Sequence, residues 1–367
     1  MSSRKRLIRE FTGILKDKAS IMKASLTTRS TDSAIKVAIL RATTHTSAAP
    51  PPEHRLEYVL TLGSTVAPLA SACVDSIMER LHKTRNPHVA LKCLLVLHHI
   101  LANGSFLFKQ QLSYHPSNGG QNSLKLTRFR ENRHVSSGGD VEDRELSQWV
   151  RWYASVLERN LILSRNLGCY IDFVSSSNVT NSKNRFSNLS RSIKEIDCLV
   201  SMVEEICGAP ESLHHQKVDL VYELMLLVSE DYRGTQYHII ARLGELGSNR
   251  VIEELSSDDS AELLSCLKRL EGCKERLTEM FANRKRNDAF WRLVSQVRKV
   301  IEEVNEKRER EKMVAWKSGD ANSKNVVELT RNGGRVKGAS HGHHHHHQAI
   351  KLLPYDQSGQ WLTVVRV

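Results

Sequence analysis

The chain has 367 residues, 40% of them hydrophobic and 26% charged, and a formal net charge of +12. This balance is typical of a globular protein that can bury a core in one large domain or two ordinary ones. Only 8 prolines and 6% aromatic residues, with no run of alternating β-branched residues bounded by turns, argue against strands. We therefore predict an all-α fold.

The first predicted element is an amphipathic helix near the N-terminus. Residues 1–29 carry eight basic side chains against two acidic ones, a net charge of +6. Two interpretations stay open and can coexist: the apolar face packs on the core, or it lies against an acidic membrane. The apolar residues recur at intervals of three and four, as on one helix face: Ile8, Phe11, Leu15, Ala19, Met22 and Leu26.

Four helices are predicted next. Asn86-Pro87 is a typical helix start, and Val89–Leu101 is apolar almost all round, so it should be the most buried helix. Gly104 follows it, at the position where a left-handed residue often ends a helix. Helices on both sides of this one predict a stacked array, an α-solenoid, rather than a four-helix bundle. The three helices before it are predicted at Asp32–Thr44, Glu53–Leu62, and from Ser64 or Thr65 to about His82.

The later part of the chain is also predicted to be helical. A loop-like segment over 115–145 leads to a helix at about Arg144–Leu167, with Trp149, Trp152, Tyr153, Val156 and Leu157 as anchors. Residues 191–270 carry eight basic and fifteen acidic side chains, a net charge of −7. Opposite charge at the two ends predicts that the N-terminal part is attracted to a polyanion. Further helices are predicted near 189–207, 213–230, 234–247, 257–282 and 286–314.

No motif for catalysis or metal binding is found. A Gly-rich phosphate loop, a Gly-x-Ser-x-Gly elbow and a His-Glu-x-x-His motif are absent. The pairs His98-His99 and His214-His215 are adjacent in sequence, so their side chains diverge on a helix and cannot share one metal ion. The run His343–His347 is set aside, because ligation needs a fixed geometry. We expect no enzyme, no metal and no cofactor.

Cysteine usage and hydropathy suggest the compartment. The seven cysteines have no paired spacing and mostly occupy apolar helix positions, which predicts reduced thiols in the core. The N-terminus is charged and has no apolar signal core. The most apolar stretch, Val89–Ala102, is too short to span a bilayer and contains Lys92. These features predict a cytoplasmic protein.

Three motifs follow one another along the chain: Ile39–His45, Asn86–Phe106 and Trp149–Ala154. Together they resemble the ANTH domain of clathrin-assembly proteins, the larger relative of the epsin N-terminal module. The Ile14–Ala19 segment, followed by Ala24-Ser25-Leu26, is similar to short plant members. The resemblance implies a right-handed α-solenoid over 1–310, with an N-terminal lobe at about 25–170 and a helical extension at about 185–310. Residues 311–367 are expected to be a flexible, disordered tail that contains the histidine run.

The resemblance also implies function. Family members bind phosphatidylinositol 4,5-bisphosphate and, in several cases, a vesicle SNARE of the VAMP type. The chain is thus expected to act as an adaptor with clathrin and adaptor proteins as partners, peripheral on coated pits or vesicles at the plasma membrane or Golgi. The family's lipid site uses a basic residue before an Ala-Thr-Thr-His motif, then basic residues and a histidine. The corresponding candidate residues here are Arg41, His45 and His54, helped by Lys36 and Arg55.

The sequence departs from the family pattern in two places. Pro51-Pro52-Glu53 stands where the basic cluster belongs, which removes cations and adds a carboxylate. The tail lacks the short clathrin and adaptor motifs of the family, and the nearest match, Asp219-Leu220-Val221, falls inside a predicted helix. A helical protein-interaction scaffold with a degenerate lipid site therefore stays open. A nucleic-acid binder is not expected, because residues 1–60 contain only Phe11 and Tyr58 as aromatic partners for the basic residues.

Overall fold

The computed structural model describes residues 2–27, 30–45, 49–115, 124, 126–129, 141–168, 170, 185–211, 218–246, 249–281 and 284–322. Within these ranges the chain forms thirteen helices and no β-strand, which confirms the predicted all-α fold. The helices are α1 (Ser2–Thr27), α2 (Ser30–Ala42), α3 (Glu53–Ser64), α4 (Ala67–Lys83), α5 (Pro87–Asn103), α6 (Phe106–Ser113), α7 (Val141–Leu167), α8 (Arg185–Cys207), α9 (Asp219–Leu246), α10 (Asn249–Glu254), α11 (Ser257–Gly272), α12 (Lys274–Met280) and α13 (Arg284–Asn322).

The helices stack as a continuous array. Helix α1 lies on α2, which packs on α3 and α4; α5 packs between α4 and α7. Helix α8 joins the two halves, because it contacts α7 on one side and α9 and α11 on the other. Helix α13 closes the far end against α9, α10 and α11. From α2 to α13 the helices bury apolar side chains against their neighbours, as in a solenoid.

Helix α5 is the centre of the N-terminal half. It contacts α3, α4, α6, α7 and α9, so core surrounds it on nearly every side. This explains its apolar composition and confirms the prediction that it is the most buried helix. The Asn86 side chain accepts hydrogen bonds from the backbone N–H groups of His88 and Val89, at 2.9 and 3.2 Å, which confirms the predicted N-cap.

The prediction for Gly104 was wrong. Its φ of −66° and ψ of 156° are extended, not left-handed. Glycine is needed there for space: a Cβ at this position would come within 2.4 Å of the Ile100 carbonyl oxygen. The α5–α6 turn is therefore tight because backbone approaches backbone, not because of a positive φ.

Several predicted helix boundaries also differ from the structure. Ser64 ends α3, and α4 begins only at Ala67, with Pro68 in its first turn. The two helices predicted at 213–230 and 234–247 are one helix, α9, which continues through the buried Gly234. The single helix predicted at 257–282 breaks at Cys273 into α11 and α12. The short helices α6 and α10 were not predicted.

The predicted tail begins too early. Helix α13 extends to Asn322, so residues 311–322 are helical. The rest of the predicted tail, including His343–His347, lies outside the described residues. No helix in the described ranges is long and apolar enough to cross a membrane.

Candidate functional site

The apolar stripe of α1 faces solvent. Its five large members are 60% to 82% exposed, so the interpretation that this face packs on the core is wrong. Lys16 and Lys23 lie along one edge of the stripe and Lys18 along the other, and all three are exposed. The five large residues of this exposed stripe are Ile8, Phe11, Leu15, Met22 and Leu26.

The opposite face of α1 packs on the body through small residues. Gly13, Asp17 and Ala24 are buried, and they follow one another at helical spacing. Close packing leaves no room at Gly13, where a Cβ would lie 2.8 Å from the Cβ of His45. One end of the contact is fixed by Ser33, which donates a hydrogen bond to the Ala24 carbonyl at 3.0 Å. Helix α1 is therefore held with its larger apolar side chains pointing outward.

Asp17 is the polar anchor of this packing. Its carboxylate accepts hydrogen bonds from the His45 backbone N–H at 2.7 Å and from His45 Nδ1 at 2.6 Å. Arg80 approaches the same carboxylate at 3.4 Å. Burial alone would raise the pKa of Asp17, but these hydrogen bonds and the positive charges of His45 and Arg80 hold it below its ordinary value. The predicted lipid ligand His45 thus has a structural partner 28 residues away.

The carboxyl end of α2 is surrounded by cations from three other helices. Arg55 of α3 donates to the Arg41 carbonyl at 2.5 Å, and Arg80 of α4 donates to the Thr43 carbonyl at 2.6 Å. Lys92 of α5 donates to the Thr44 carbonyl at 3.2 Å. These cations satisfy carbonyl groups that have no partner within the helix and oppose its dipole. Burial, with Arg55 and Arg80 nearby, lowers the pKa of Lys92 to about 8 although Asp17 acts in the other direction.

The other predicted site residues have different surroundings. Arg41 and His54 are exposed, on α2 and in the first turn of α3. Lys36 is half-buried on α2 and interacts electrostatically with Glu79 of α4. The structure therefore brings His45 and Arg55 into the corner at the end of α2, where their donors bind protein groups. Arg41 and His54 present their side chains to solvent beside it.

Sequence reasoning missed Asp17, Arg80 and Lys92. A lysine inside an otherwise apolar helix is itself a signal, because lysine is almost never fully buried without a partner. Lys92 is 3% exposed. No comparable signal marks Asp17 or Arg80, since their partners are distant in sequence.

Asp17→Asn is expected to loosen α1 without unfolding the rest of the chain. The asparagine amide has one acceptor oxygen and no negative charge, so it cannot replace both charge-assisted hydrogen bonds from His45. Charge-assisted hydrogen bonds of this kind contribute about 1.5–3 kcal/mol. Hydrogen exchange of the α1 amides should therefore accelerate by about tenfold or more. Asp75→Asn is the matched control: Asp75 also contacts a histidine, His115, at 3.0 Å, but its side chain is 62% exposed. Equal hydrogen-exchange rates of the α1 amides in the two variants would contradict the role of Asp17 as the polar anchor of α1.

A second polar cluster lies in the core and is not a surface site. His98 Nε2 is 3.1 Å from Asp231, and its Nδ1 is 2.8 Å from the Tyr153 hydroxyl. Tyr170 and Asn160 also donate to Asp231, at 2.6 and 2.8 Å. His98 and Asp231 are each 1% exposed, which leaves no access for a substrate. Among the described residues no group of three or more His, Cys, Asp or Glu side chains could hold a metal ion.

Comparison with known proteins places the chain in a family. The ANTH domain model matches residues 34–290, which covers most of the helical array. The chain belongs to the ANTH-domain family.

Three relatives are Arabidopsis thaliana proteins named as candidate clathrin assembly proteins. At4g40080 is 39% identical over 304 residues, covering 80% of each chain. At5g10410 is 32% identical over 308 residues, covering 80% of this chain and 86% of the relative. At5g65370 is 32% identical over 302 residues, covering 78% of this chain and 97% of the relative. None of these three carries the name of an enzyme.

Proposed function

We propose that this protein is a non-enzymatic adaptor of clathrin-coated membrane that docks peripherally on anionic, phosphoinositide-containing bilayers through α1 and the adjacent corner. Arg41 and His54 contact the headgroups, and the exposed stripe of α1 enters the boundary between headgroups and acyl chains. The clathrin-related part of the proposal is supported by the names of the relatives. The membrane part is carried by one observation: a folded helix that turns its large apolar side chains to solvent between exposed lysines.

Physical chemistry favours a lipid surface as the partner of this face. An apolar stripe edged by lysines has the charge and hydropathy of an interfacial helix. Each Lys or Arg at an anionic surface contributes about 1 kcal/mol to the free energy of membrane binding, and the burial of each apolar side chain in the bilayer adds to this. Nucleic acid, the less favoured polyanion, would use the cations but not the aliphatic stripe.

Replacing Phe11 and Leu15 together with serine is expected to weaken binding to phosphatidylinositol 4,5-bisphosphate vesicles by about tenfold or more. A fully buried side chain of this size contributes about 1.5–3 kcal/mol, and 1.4 kcal/mol corresponds to a factor of ten. Both side chains are more than 60% exposed, so the fold should not change. Liposome flotation at physiological salt measures the effect.

The matched control is the pair Phe106→Ser and Tyr114→Ser. These side chains are 78% and 64% exposed but lie on or next to α6, away from the stripe. The control should bind vesicles within about twofold of the wild type, since it removes similar apolar area from another surface. The proposal fails if the wild-type chain binds no anionic vesicle, or if both double variants lose binding equally.

Headgroup recognition requires a separate measurement. Arg41→Glu should reduce the preference for phosphatidylinositol 4,5-bisphosphate over phosphatidylserine vesicles, because it reverses the exposed charge beside the corner. An unchanged preference would place the headgroup contact elsewhere.

A protein partner is the second half of the proposal. We infer that the later helices bind a helical segment, such as a VAMP-type SNARE, and that clathrin or its adaptors join the complex. Two observations support this half: family membership and the net negative charge of residues 191–270. Pull-down with the cytosolic part of such a SNARE tests it. The compartment we propose is a coated pit or vesicle at the plasma membrane or Golgi.

A scaffold without specific lipid binding is the alternative function. It is favoured by Pro51-Pro52-Glu53 and by the donors of His45 and Arg55, which bind protein groups at the corner. Charge reversal at Arg41 and Lys36 discriminates between the two functions. Unchanged membrane recruitment in cells would favour the scaffold, whereas loss of recruitment would favour the membrane adaptor.

A further inference from the structure

Two cysteines lie where α8 and α11 end side by side. These helices run parallel, because contacts between them advance together along both: Ser190 meets Asp259 at 3.2 Å and Glu204 meets Arg269 at 3.0 Å. Cys207 is the last residue of α8, and Cys273 follows α11 directly.

Contacts on either side place the two cysteine residues beside each other. Before the cysteines, the Arg269 guanidinium binds the Glu204 carboxylate; after them, Arg276 donates to the Ala209 carbonyl at 2.8 Å. Cys207 and Cys273 lie between these two fixed points on their respective segments. Consistent with this, Cys207 is among the groups that raise the pKa of Cys273. Both cysteines are reduced in this structure.

The two thiols differ in access. Cys273 is 6% exposed and directs its thiol at the Arg269 carbonyl, 3.6 Å away. Burial, followed by the neighbouring Cys207, raises the pKa of Cys273 to about 12. Cys207 is half-buried and can be reached from solution. This arrangement suits two different roles: the more exposed Cys207 thiol reacts with an oxidant first, and the buried Cys273 thiol then forms the disulfide with the oxidised Cys207.

We propose that Cys207 and Cys273 form an oxidisable pair that hydrogen peroxide converts into an intramolecular disulfide. Cys207 sulfur attacks the peroxide, the O–O bond breaks, and a sulfenic acid and water form. Cys273 sulfur then attacks Cys207 sulfur, the S–O bond breaks, and a second water leaves as the S–S bond forms. One molecule of hydrogen peroxide is reduced while two thiols are oxidised. The bond fastens the end of α8 to the α11–α12 junction, and it does not depend on the proposed membrane function.

The test is peptide mapping of the full-length protein after treatment with hydrogen peroxide. Burial raises the pKa of Cys273, so its reactive thiolate form is scarce, and millimolar peroxide with an hour of reaction is suitable. Trypsin should then yield the peptides 195–217 and 270–274 joined, two hydrogens lighter than their sum. Thiol titration in denaturant should fall by two from the seven of the reduced chain.

Three variants make the assignment specific. Cys207→Ser and Cys273→Ser should each abolish the joined peptides. Cys198→Ser is the matched control, because Cys198 lies in the same tryptic peptide and is also half-buried; it should leave the product unchanged. The proposal is overturned if Cys207 is recovered only as sulfinic or sulfonic acid, if it pairs with Cys198, or if chains join to each other.

Discussion

Asp231→Ala is expected to destabilise the protein by about 3–5 kcal/mol, because it leaves several buried donors without an acceptor. With its proton on Nε2, His98 donates to Asp231 and accepts from Tyr153 at Nδ1. Tyr170 and Asn160 donate to the same carboxylate. These groups come from α5, α7, α9 and Tyr170, three residues after the end of α7, so the loss affects contacts between three helices. The free energy of unfolding in urea, followed by circular dichroism, measures the effect.

The neighbouring residue supplies the control for this prediction. Glu230→Ala removes a carboxylate from the same helix, but Glu230 is partly exposed and pairs with Arg233 three residues later. Exposed pairs of this kind contribute about 0–1 kcal/mol. A loss below about 1 kcal/mol for Asp231→Ala, or equal losses for both variants, would show that the buried network is not a main source of stability.

Gly63→Ala is expected to destabilise the fold by about 2–3 kcal/mol, although alanine favours helices over glycine by about 1 kcal/mol. Helix α3 approaches α6 so closely at this point that a Cβ would lie 2.1 Å from the Phe108 ring. Phe108 is fully buried and has no room to move away. Thermal or urea unfolding should show the loss.

Two further variants control for the effect of glycine itself. Gly272→Ala adds a methyl group where no atom lies within 4 Å, so it should be neutral or slightly stabilising. Gly63→Ala combined with Phe108→Leu should recover part of the loss, because the smaller side chain restores space. If Gly63→Ala were as stable as Gly272→Ala, the close contact between α3 and α6 would be incorrect.

Periodicity and helix-start signals predicted much of the fold. The apolar spacing of α1, α5 and α7 and the Asn86-Pro87 start correspond to observed helices. Errors arose where tertiary packing outweighs local preference. Two helices were expected, at 213–230 and 234–247, yet α9 continues through Gly234 because the helix is buried along most of its length.

The candidate site was harder to predict than the fold. Periodicity identifies residues that share a face of α1, but not which face meets the body, and here the larger apolar residues face outward. The contact between Asp17 and His45 spans 28 residues and leaves no local pattern. Arg41 and His45 of the motif lie at the corner at the end of α2, whereas the position of Lys92 there follows only from its tertiary contact with the Thr44 carbonyl.

Helix α13 continues well beyond its contact with the end of α10. Arg308 donates to the carbonyl oxygens of Glu253 and Leu255 at 2.7 and 2.8 Å. Asn322 comes fourteen residues later, and at 1.5 Å per residue the helix extends about 20 Å past that point. Residues 309–316 are exposed throughout. Residues 309–316 thus project past this contact as a stretch of helix that is exposed on every face, so a partner could approach them from any side.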